Sequence, residues 1–319
     1  MTGLDEKLKE LNKSYGQGTI NELSKYGDTT IERIPTGSYS LDWVMGDGLA
    51  AGRIMEIYGE PSSGKSVMSL FIIKEIQKRG GKAAYIDCEN SFSADFSKTI
   101  GVNTDSLIFS QAVIAEDVLN IVNELVKTNE LDIIVVDSVA SMVPKKEMDG
   151  DVGAMQVALT ARLMSQALRK MTGAIAQTKT SVIFINQTRA NIGMFVGNPT
   201  TTAGGKSLRF YASIRLEVKK GKNITSKGGE VIGNVVVIKA TKNKTAMPFR
   251  HAELSLYYNK GIDVVSDIFD VAVSKSIITK AGHTYSYKEK KLGVGRDEAK
   301  NLLSSDDKLL NEIRLSLNE

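Results

Sequence analysis

The stretch GEPSSGKS, residues 59–66, constrains this chain more than any other feature. It stands between the strand-like RIMEIY and the helix-like VMSLFIIKEIQKR. The pattern Gly-x-x-x-x-Gly-Lys-Ser makes a turn whose free backbone N–H groups, together with a helix N-terminus, face phosphates. Such a loop needs a buried strand behind it and a helix ahead of it. Gly59 and Gly64 permit the tight curvature, and Gly59, Glu60, Pro61, Ser62, Ser63, Gly64, Lys65, Ser66 and Val67 form the candidate nucleotide cradle. Lys65 would bridge the β- and γ-phosphates of ATP, and Ser66 would offer its hydroxyl to Mg²⁺.

From Arg53 onward, short apolar runs alternate with helical patterns. Strands are expected at 53–58, 82–89, 107–110, 131–137, 181–187, 213–219 and 234–241, and helices at 65–78, 115–128 and 158–178. This alternation predicts an α/β fold with a mostly parallel sheet covered by helices, the last strands adding as an antiparallel edge. IIVVDS ends one buried strand on Asp137, placed to orient Mg²⁺ directly or through water. Glu89 ends another, on the rim where ligands sit in open parallel sheets, and is the candidate for polarising the attacking water. A capping carboxylate for the next helix is the alternative reading of Glu89.

The organisation divides in three: an arm over 1–32, a core over 33–261 and a small α/β domain over 262–319. In the arm, Leu4, Leu8, Leu11 and Tyr15 have helical spacing, and TINEL (19–23) reads as a strand. In the last segment a helix, a polar hairpin over 280–293 and two short helices are expected. Hydrophobic residues make up 42% and charged residues 24%, so an ordered globular chain is expected. The N-terminus lacks the apolar core of a signal peptide, and no run of about 18 apolar residues would span a membrane. A single cysteine, Cys88, excludes an internal disulfide framework and suits a reducing compartment, so the chain reads as cytosolic. The net charge of +4 is uneven: residues 188–250 hold twelve Lys or Arg against Glu217 and Glu230. A solvated lysine-rich surface and a polyanion-binding face both fit that excess.

Beyond the loop, IPTGSYSLD (34–42), AYIDCEN (84–90), IIVVDSVASMVPKKEMDGD (133–151), ARLMSQALRK (161–170), IFINQTRANIGMFVGNPTTTAGGKSLRFYAS (183–213) and KNKTAMPF (242–249) closely resemble the bacterial RecA recombinases. The resemblance runs in order over nearly the whole chain. It implies an ATPase of the RecA type that polymerises on single-stranded DNA, self-associates into helical filaments, pairs the strand with homologous double-stranded DNA and exchanges strands. By position it makes Gln187 the sensor of the γ-phosphate and Lys242 and Lys244 the pair that reaches a neighbour's ATP. Charge supplied in trans would make hydrolysis depend on assembly.

The resemblance also marks two DNA-binding loops, 147–158 and 188–205, with Val157 and Ile192 as wedges between bases. Arg162 and Arg169, seven residues apart on one helix face, with Ser165 and Arg189, would track phosphates, as would the backbone at Gly204 and Gly205. Met164 and Met171 read as core. Phe96 takes the place of a tyrosine usual against adenine, and Tyr258 aligns loosely with a residue touching the neighbour's nucleotide. Ser93 replaces an expected aspartate near the adenine amino group, relaxing base selectivity. LNEIRLSLNE lacks the acidic tail common in the family, which predicts less restrained duplex binding and would suit a bacteriophage or mobile-element version. A ring helicase would carry an extra domain before residue 35. A mediator that binds ATP without hydrolysing it would show damage at Lys65, Glu89, Lys242 or Lys244, all intact here.

Overall fold

The leucine spacing near the N-terminus produces helix α1 (Gly3–Tyr15), with Asp5 and Glu6 in its first turn and Lys13 in its last, each matching the helix dipole. The computed structural model describes residues 3–16, 18–23, 30–151, 158–190, 200–226 and 228–317. Met1–Glu32 and Arg33–Glu319 form two compact units. In the first, TINEL is not a strand: Thr19 and Ile20 lie in a bend, and Asn21 and Glu22 are irregular. The Asn12 side chain brackets Ile20, its Nδ2 donating to the Ile20 carbonyl at 2.7 Å and its Oδ1 accepting the Ile20 N–H at 3.0 Å. Thr19 Oγ1 donates to the Tyr15 and Gly16 carbonyls. These local bonds occupy the groups that strand pairing would need.

The second unit opens with β1 (Arg33–Ile34) and β2 (Leu49–Ala50), an antiparallel pair flanking α2 (Tyr39–Met45). The Ser38 hydroxyl caps α2 by accepting the Leu41 N–H, and Gly46 ends it at φ +88°. The chain then runs β3 (Ile54–Gly59), α3 (Lys65–Lys78), β4 (Ala83–Asp87), α4 (Ala94–Ile100), β5 (Ile108–Ser110), α5 (Ala115–Lys127) and β6 (Ile133–Asp137). It continues through α6 (Lys145–Met148), α7 (Leu159–Thr178), β7 (Ser181–Ala190), β8 (Thr200–Thr202), α8 (Ser207–Tyr211), β9 (Ile214–Thr225), β10 (Val231–Asn243), β11 (His251–Tyr257) and β12 (Gly261–Ile262).

The main sheet has the order β12-β11-β10-β9-β3-β7-β6-β4-β5, with β8 paired to β7. β9, β3, β7, β6, β4 and β5 run parallel, while β10, β11 and β12 add antiparallel. Strands buried on both faces need apolar side chains at nearly every position, which is why β3 and β6 are buried throughout. On one face α5 and α7 pack Val118, Val122, Val126, Met164, Leu168, Met171 and Ile175 onto Ile134, Val136, Val182 and Phe184. Each such side chain contributes about 1.5–3 kcal/mol by leaving water. β11 was not expected; Leu254 and Leu256 are buried, while Ser255 and Tyr257 between and after them are half-buried and Glu253 is exposed.

After β12, Asp263 caps α9 (Val264–Ser274), its side chain accepting the Ser266 N–H. β13 (Ile278–Ala281), β14 (Thr284–Tyr287) and β15 (Lys290–Val294) form a three-stranded antiparallel sheet, followed by α10 (Arg296–Ser305) and α11 (Asp307–Leu317). The expected hairpin is therefore a meander, because Lys288, at φ +51°, makes a second reversal. β14 alternates, burying Tyr285 and Tyr287 with Phe269, Leu292, Leu303 and Ile313 in a separate apolar cluster.

Candidate nucleotide and DNA site

β3 ends on Gly59, where a Cβ would lie 2.0 Å from the Val218 carbonyl oxygen of the adjoining strand. A side chain cannot fit there. Gly64 takes φ +95° and forms the N-cap of α3 without a side-chain hydrogen bond. The first N–H groups of α3, at Lys65, Ser66 and Val67, therefore lack an intrahelical or capping partner and point out of the helix start. Ser63 Oγ is buried with no partner, an orphan polar atom inside the loop. Lys65 is 7% exposed and donates from Nζ to the Glu60 carbonyl at 2.7 Å. Burial pushes its ammonium below the ordinary lysine range, against the pull of Asp137 and Glu89. A cradle of free donors with a desolvated cation fits a polyphosphate.

β6 lies beside β4 with Asp137 opposite Asp87. Asp137 is 2% exposed, and its Oδ2 accepts from Ser66 Oγ and from the Tyr85 hydroxyl, each at 2.6 Å. Burial raises the Asp137 carboxyl above its usual range, and these two donors act in the opposite sense. The same burial, reinforced by Asp137, holds the Tyr85 hydroxyl well above the tyrosine range. A serine hydroxyl and a carboxylate are hard oxygen donors, the set that Mg²⁺ takes beside substrate phosphates. These residues fit that ion.

Glu89 follows β4. Its Oε1 accepts from Ser138 Oγ at 2.5 Å and from Gln187 Nε2 at 2.6 Å. Gln187 stands on β7 in register with Gly59, level with the first residue of the loop. The helix that follows Glu89 is capped instead by Ser93, whose hydroxyl accepts the Phe96 N–H at 3.2 Å. Glu89 is thus free of the capping role. Asp87 supports it from below, accepting the N–H groups of Glu89, Ser91 and Phe92 at 3.0–3.3 Å. Lys65, Ser66, Asp137, Glu89 and Gln187 meet at the C-terminal ends of β3, β4, β6 and β7, as open parallel sheets require.

Lys242 and Lys244 do not join that group. Lys242 Nζ donates to the Arg209 carbonyl at 2.5 Å and the Phe210 carbonyl at 3.0 Å, and Lys244 Nζ to Phe210 at 3.2 Å. Both neutralise the C-terminal end of α8. Lys242 pairs with Arg215, which pairs with Glu56, three residues short of Gly59 along β3. Burial and the neighbouring Lys244 and Arg215 push the Lys242 ammonium down to about 8. Phe96 is half-buried and Tyr258 exposed, both outside the Lys65 cluster.

Arg162 and Arg169 are exposed on α7, Ser165 is half-buried between them, and Met164 and Met171 are core on the opposite side. Arg189 is exposed near the end of β7. Gly204 and Gly205 take φ +73° and +76°; a Cβ would lie 2.7 Å from Val139 Cγ1 at the first and 2.7 Å from Ala161 Cβ at the second. The return from the 188–205 segment is thereby pressed onto the start of α7. Val157 and Ile192 lie outside the described residues.

Sequence reasoning missed a buried polar network behind Gln187. Glu56, fully buried, accepts from Arg215 Nε at 2.5 Å and Asn186 Nδ2 at 2.9 Å. Asn186 also donates to the Ala203 carbonyl at 3.0 Å and accepts the Gln187 N–H at 2.9 Å. Arg215 stacks over the Tyr58 ring, 4.4 Å from its centroid. A charged residue at a position where a central strand should be apolar, as Glu56 is in RIMEIY, was the available signal. Tyr85 and Ser138 were missed too, because their partners appear only once β4 and β6 are known neighbours. Trp43 is half-exposed, with the Arg250 guanidinium 3.9 Å over its ring. Cys88 is buried, which pushes its thiol up to about 12 and makes it inert.

Comparison with known proteins shows the fold and the family. The RadB recombinase crystal structure matches with a TM-score of 0.55 at 22% identity, covering 72% of this chain and 98% of that one, a likeness of fold. Protein RecA of Lactobacillus acidophilus is 46% identical over 98% of this chain and 86% of its own length. Protein RecA of Mycoplasma mycoides subsp. mycoides is 47% identical over 97% of this chain and 90% of its own. Residues 2–263 match the RecA N-terminal domain and residues 266–319 the RecA C-terminal domain, and on these grounds the chain belongs to the RecA family.

Proposed function

We propose that this RecA-family ATPase and recombinase polymerises on single-stranded DNA, pairs it with homologous duplex and exchanges strands, each protomer's hydrolysis being completed by its neighbour. The observation that carries the reading is the hydrogen-bonded series Ser138–Glu89–Gln187, which links the water-polarising carboxylate to the strand that leads into the 188–205 segment. Ser66 and Asp137 would hold Mg²⁺, which when bound offsets charge on the phosphate oxygens. Lys65 and the N–H groups of α3 bind the phosphates, Phe96 faces the base, and Glu89 orients water in line with the γ-phosphate. In this reading a γ-phosphate competes for the Gln187 amide, so the sensor's release from Glu89 coincides with nucleotide arrival.

Lys242 and Lys244, hydrogen-bonded to carbonyls of α8 in the lone protomer, are proposed to complete the adjacent protomer's site, and Tyr258 to touch the neighbour's nucleotide. Exposed Phe210, Met247 and Phe249 next to these lysines support a face that another copy covers. The edge strand β5, with Ile108 and Phe109 exposed, leaves backbone groups open to a second chain, and residues 1–32 are proposed as the arm that docks between copies. Arg162, Ser165, Arg169, Arg189 and the Gly204–Gly205 backbone would follow DNA phosphates, with Val157 and Ile192 between bases. No described helix is long and apolar enough to cross a membrane; the bacterial cytoplasm is the proposed setting. ATPase rates measured with and without single-stranded DNA, beside electron micrographs of the same mixtures, test the reading. Turnover should rise as filaments appear; equal turnover by dilute, unassembled protein without DNA would overturn it.

A further inference from the structure

Asp137 is the acid on which the proposed cation site depends, and its side chain is held by more than Ser66. Oδ2 carries two donors, Ser66 Oγ and the Tyr85 hydroxyl, each at 2.6 Å. Tyr85 is 3% exposed and sits on β4 opposite Val135, so its ring leans along the sheet toward Asp137, two residues further on. Aromatic neighbours fix that lean. Phe92 packs on Tyr85 with centroids 5.1 Å apart, and Phe109 on Phe92 at 4.7 Å. The phenol therefore reaches Asp137 from a rigid base, with few rotamers to lose. Its partner is fixed by burial, because no solvent reaches the hydroxyl.

We infer that Tyr85 is a positioning residue for the cation site: its hydroxyl sets the rotation of the Asp137 carboxylate. Both donors engage Oδ2, which leaves Oδ1 as the acceptor that neither Ser66 nor Tyr85 occupies. Without the phenol, Ser66 alone would hold the carboxylate, and Ser66 is the residue whose oxygen the cation also needs. One hydroxyl would then serve two demands. Tyr85 separates them, leaving Ser66 able to turn its lone pairs outward while Asp137 stays in place. Outer partners of this kind orient metal ligands, and their removal weakens metal affinity by about 10–100-fold.

This inference rests on the reading of Ser66 and Asp137 as a Mg²⁺ site. Tyr85→Phe removes one oxygen and keeps the ring in its aromatic stack. The measurement is equilibrium binding of a fluorescent N-methylanthraniloyl-ATP to the full chain as Mg²⁺ is raised from an EDTA baseline, with no turnover required. The Mg²⁺ midpoint of Tyr85→Phe should rise by about tenfold or more, with binding in EDTA little changed. In an Asp137→Asn background, the further Tyr85→Phe change should leave the midpoint where it is, since the two act through one contact. An unmoved midpoint in the single variant, or equal shifts in both backgrounds, would overturn the role of Tyr85. Nucleotide binding by the unaltered chain with no dependence on Mg²⁺ would instead remove the cation site itself.

Discussion

Arg215→Met tests whether the buried network behind Gln187 holds the core together. Glu56 has no exposed surface and two donors, Arg215 Nε and Asn186 Nδ2. Removing the guanidinium leaves a carboxylate sealed from water with one amide for company. Stranding a buried charge in this way costs about 3–5 kcal/mol. With about 2.1 cal/mol/K of unfolding entropy per residue, that is a drop of about 5–8 °C in melting temperature. Loss of the stack on Tyr58 adds about 0.5–2 kcal/mol. Glu56→Gln/Arg215→Met removes both charges while keeping an acceptor for Asn186, so it should recover most of the loss. Urea denaturation of both singles and the double gives the coupling energy, expected to be about 2 kcal/mol or more. Because Asn186 ties Gln187 to Ala203, the single variant should also show weaker DNA stimulation of ATP turnover. A loss under about 1 kcal/mol would mean that water enters the network, and the argument from burial would fall.

Three further outcomes are expected. The Lys242 ammonium stands near 8 because burial, Lys244 and Arg215 disfavour its charge, so a neighbour's triphosphate should draw a proton onto it; calorimetry in buffers of different ionisation enthalpy should find assembly-linked proton uptake growing from pH 7 to 9, absent in Lys242→Ala, and no difference between the two would refute the in-trans role. Asp42, pushed up to about 6 by burial, is protonated more readily folded than unfolded; its contribution is present below about pH 4 and lost as pH rises through 6. Asp42→Asn should therefore gain on the unaltered chain by up to about 3 kcal/mol between pH 4 and 7 in urea titrations, and a pH-independent gap would exclude the titration. Arg169→Ala should weaken DNA binding and lower the slope of log affinity against log salt by about one unit; an unaltered slope would rule out a phosphate contact there.

The local elements were legible because local physics decides them. The helix expected over 65–78 is α3 with the same bounds, since a loop that must end on free N–H groups fixes the start and the charged QKR run the end. The apolar runs at Asp137 and Gln187 also became strands of the main sheet. TINEL failed because a strand needs a partner, and Asn12 reached Ile20 first. β11 carried a period-two signal in Glu253, Leu254, Ser255 and Leu256 that was passed over. The path of the sheet could not be read from order along the chain, because β3 lies between β7 and β9, both far from it in sequence. The site divides the same way. Lys65, Ser66 and Asp137 belong to patterns with fixed spacing, whereas Tyr85, Ser138, Asn186 and Glu56 act on partners brought alongside only by strand order.

Gly204 and Gly205 press the end of one proposed DNA-binding segment against Val139, Ala161 and Met164, and the other such segment leads into α7 three residues before Ala161. Both segments thus hang from a single peg. Any tilt of α7 swings their attachment points as a pair, and a methyl group grafted onto either glycine would misalign the two at once. A lesion at one segment's foot is for that reason expected to mimic damage to the other.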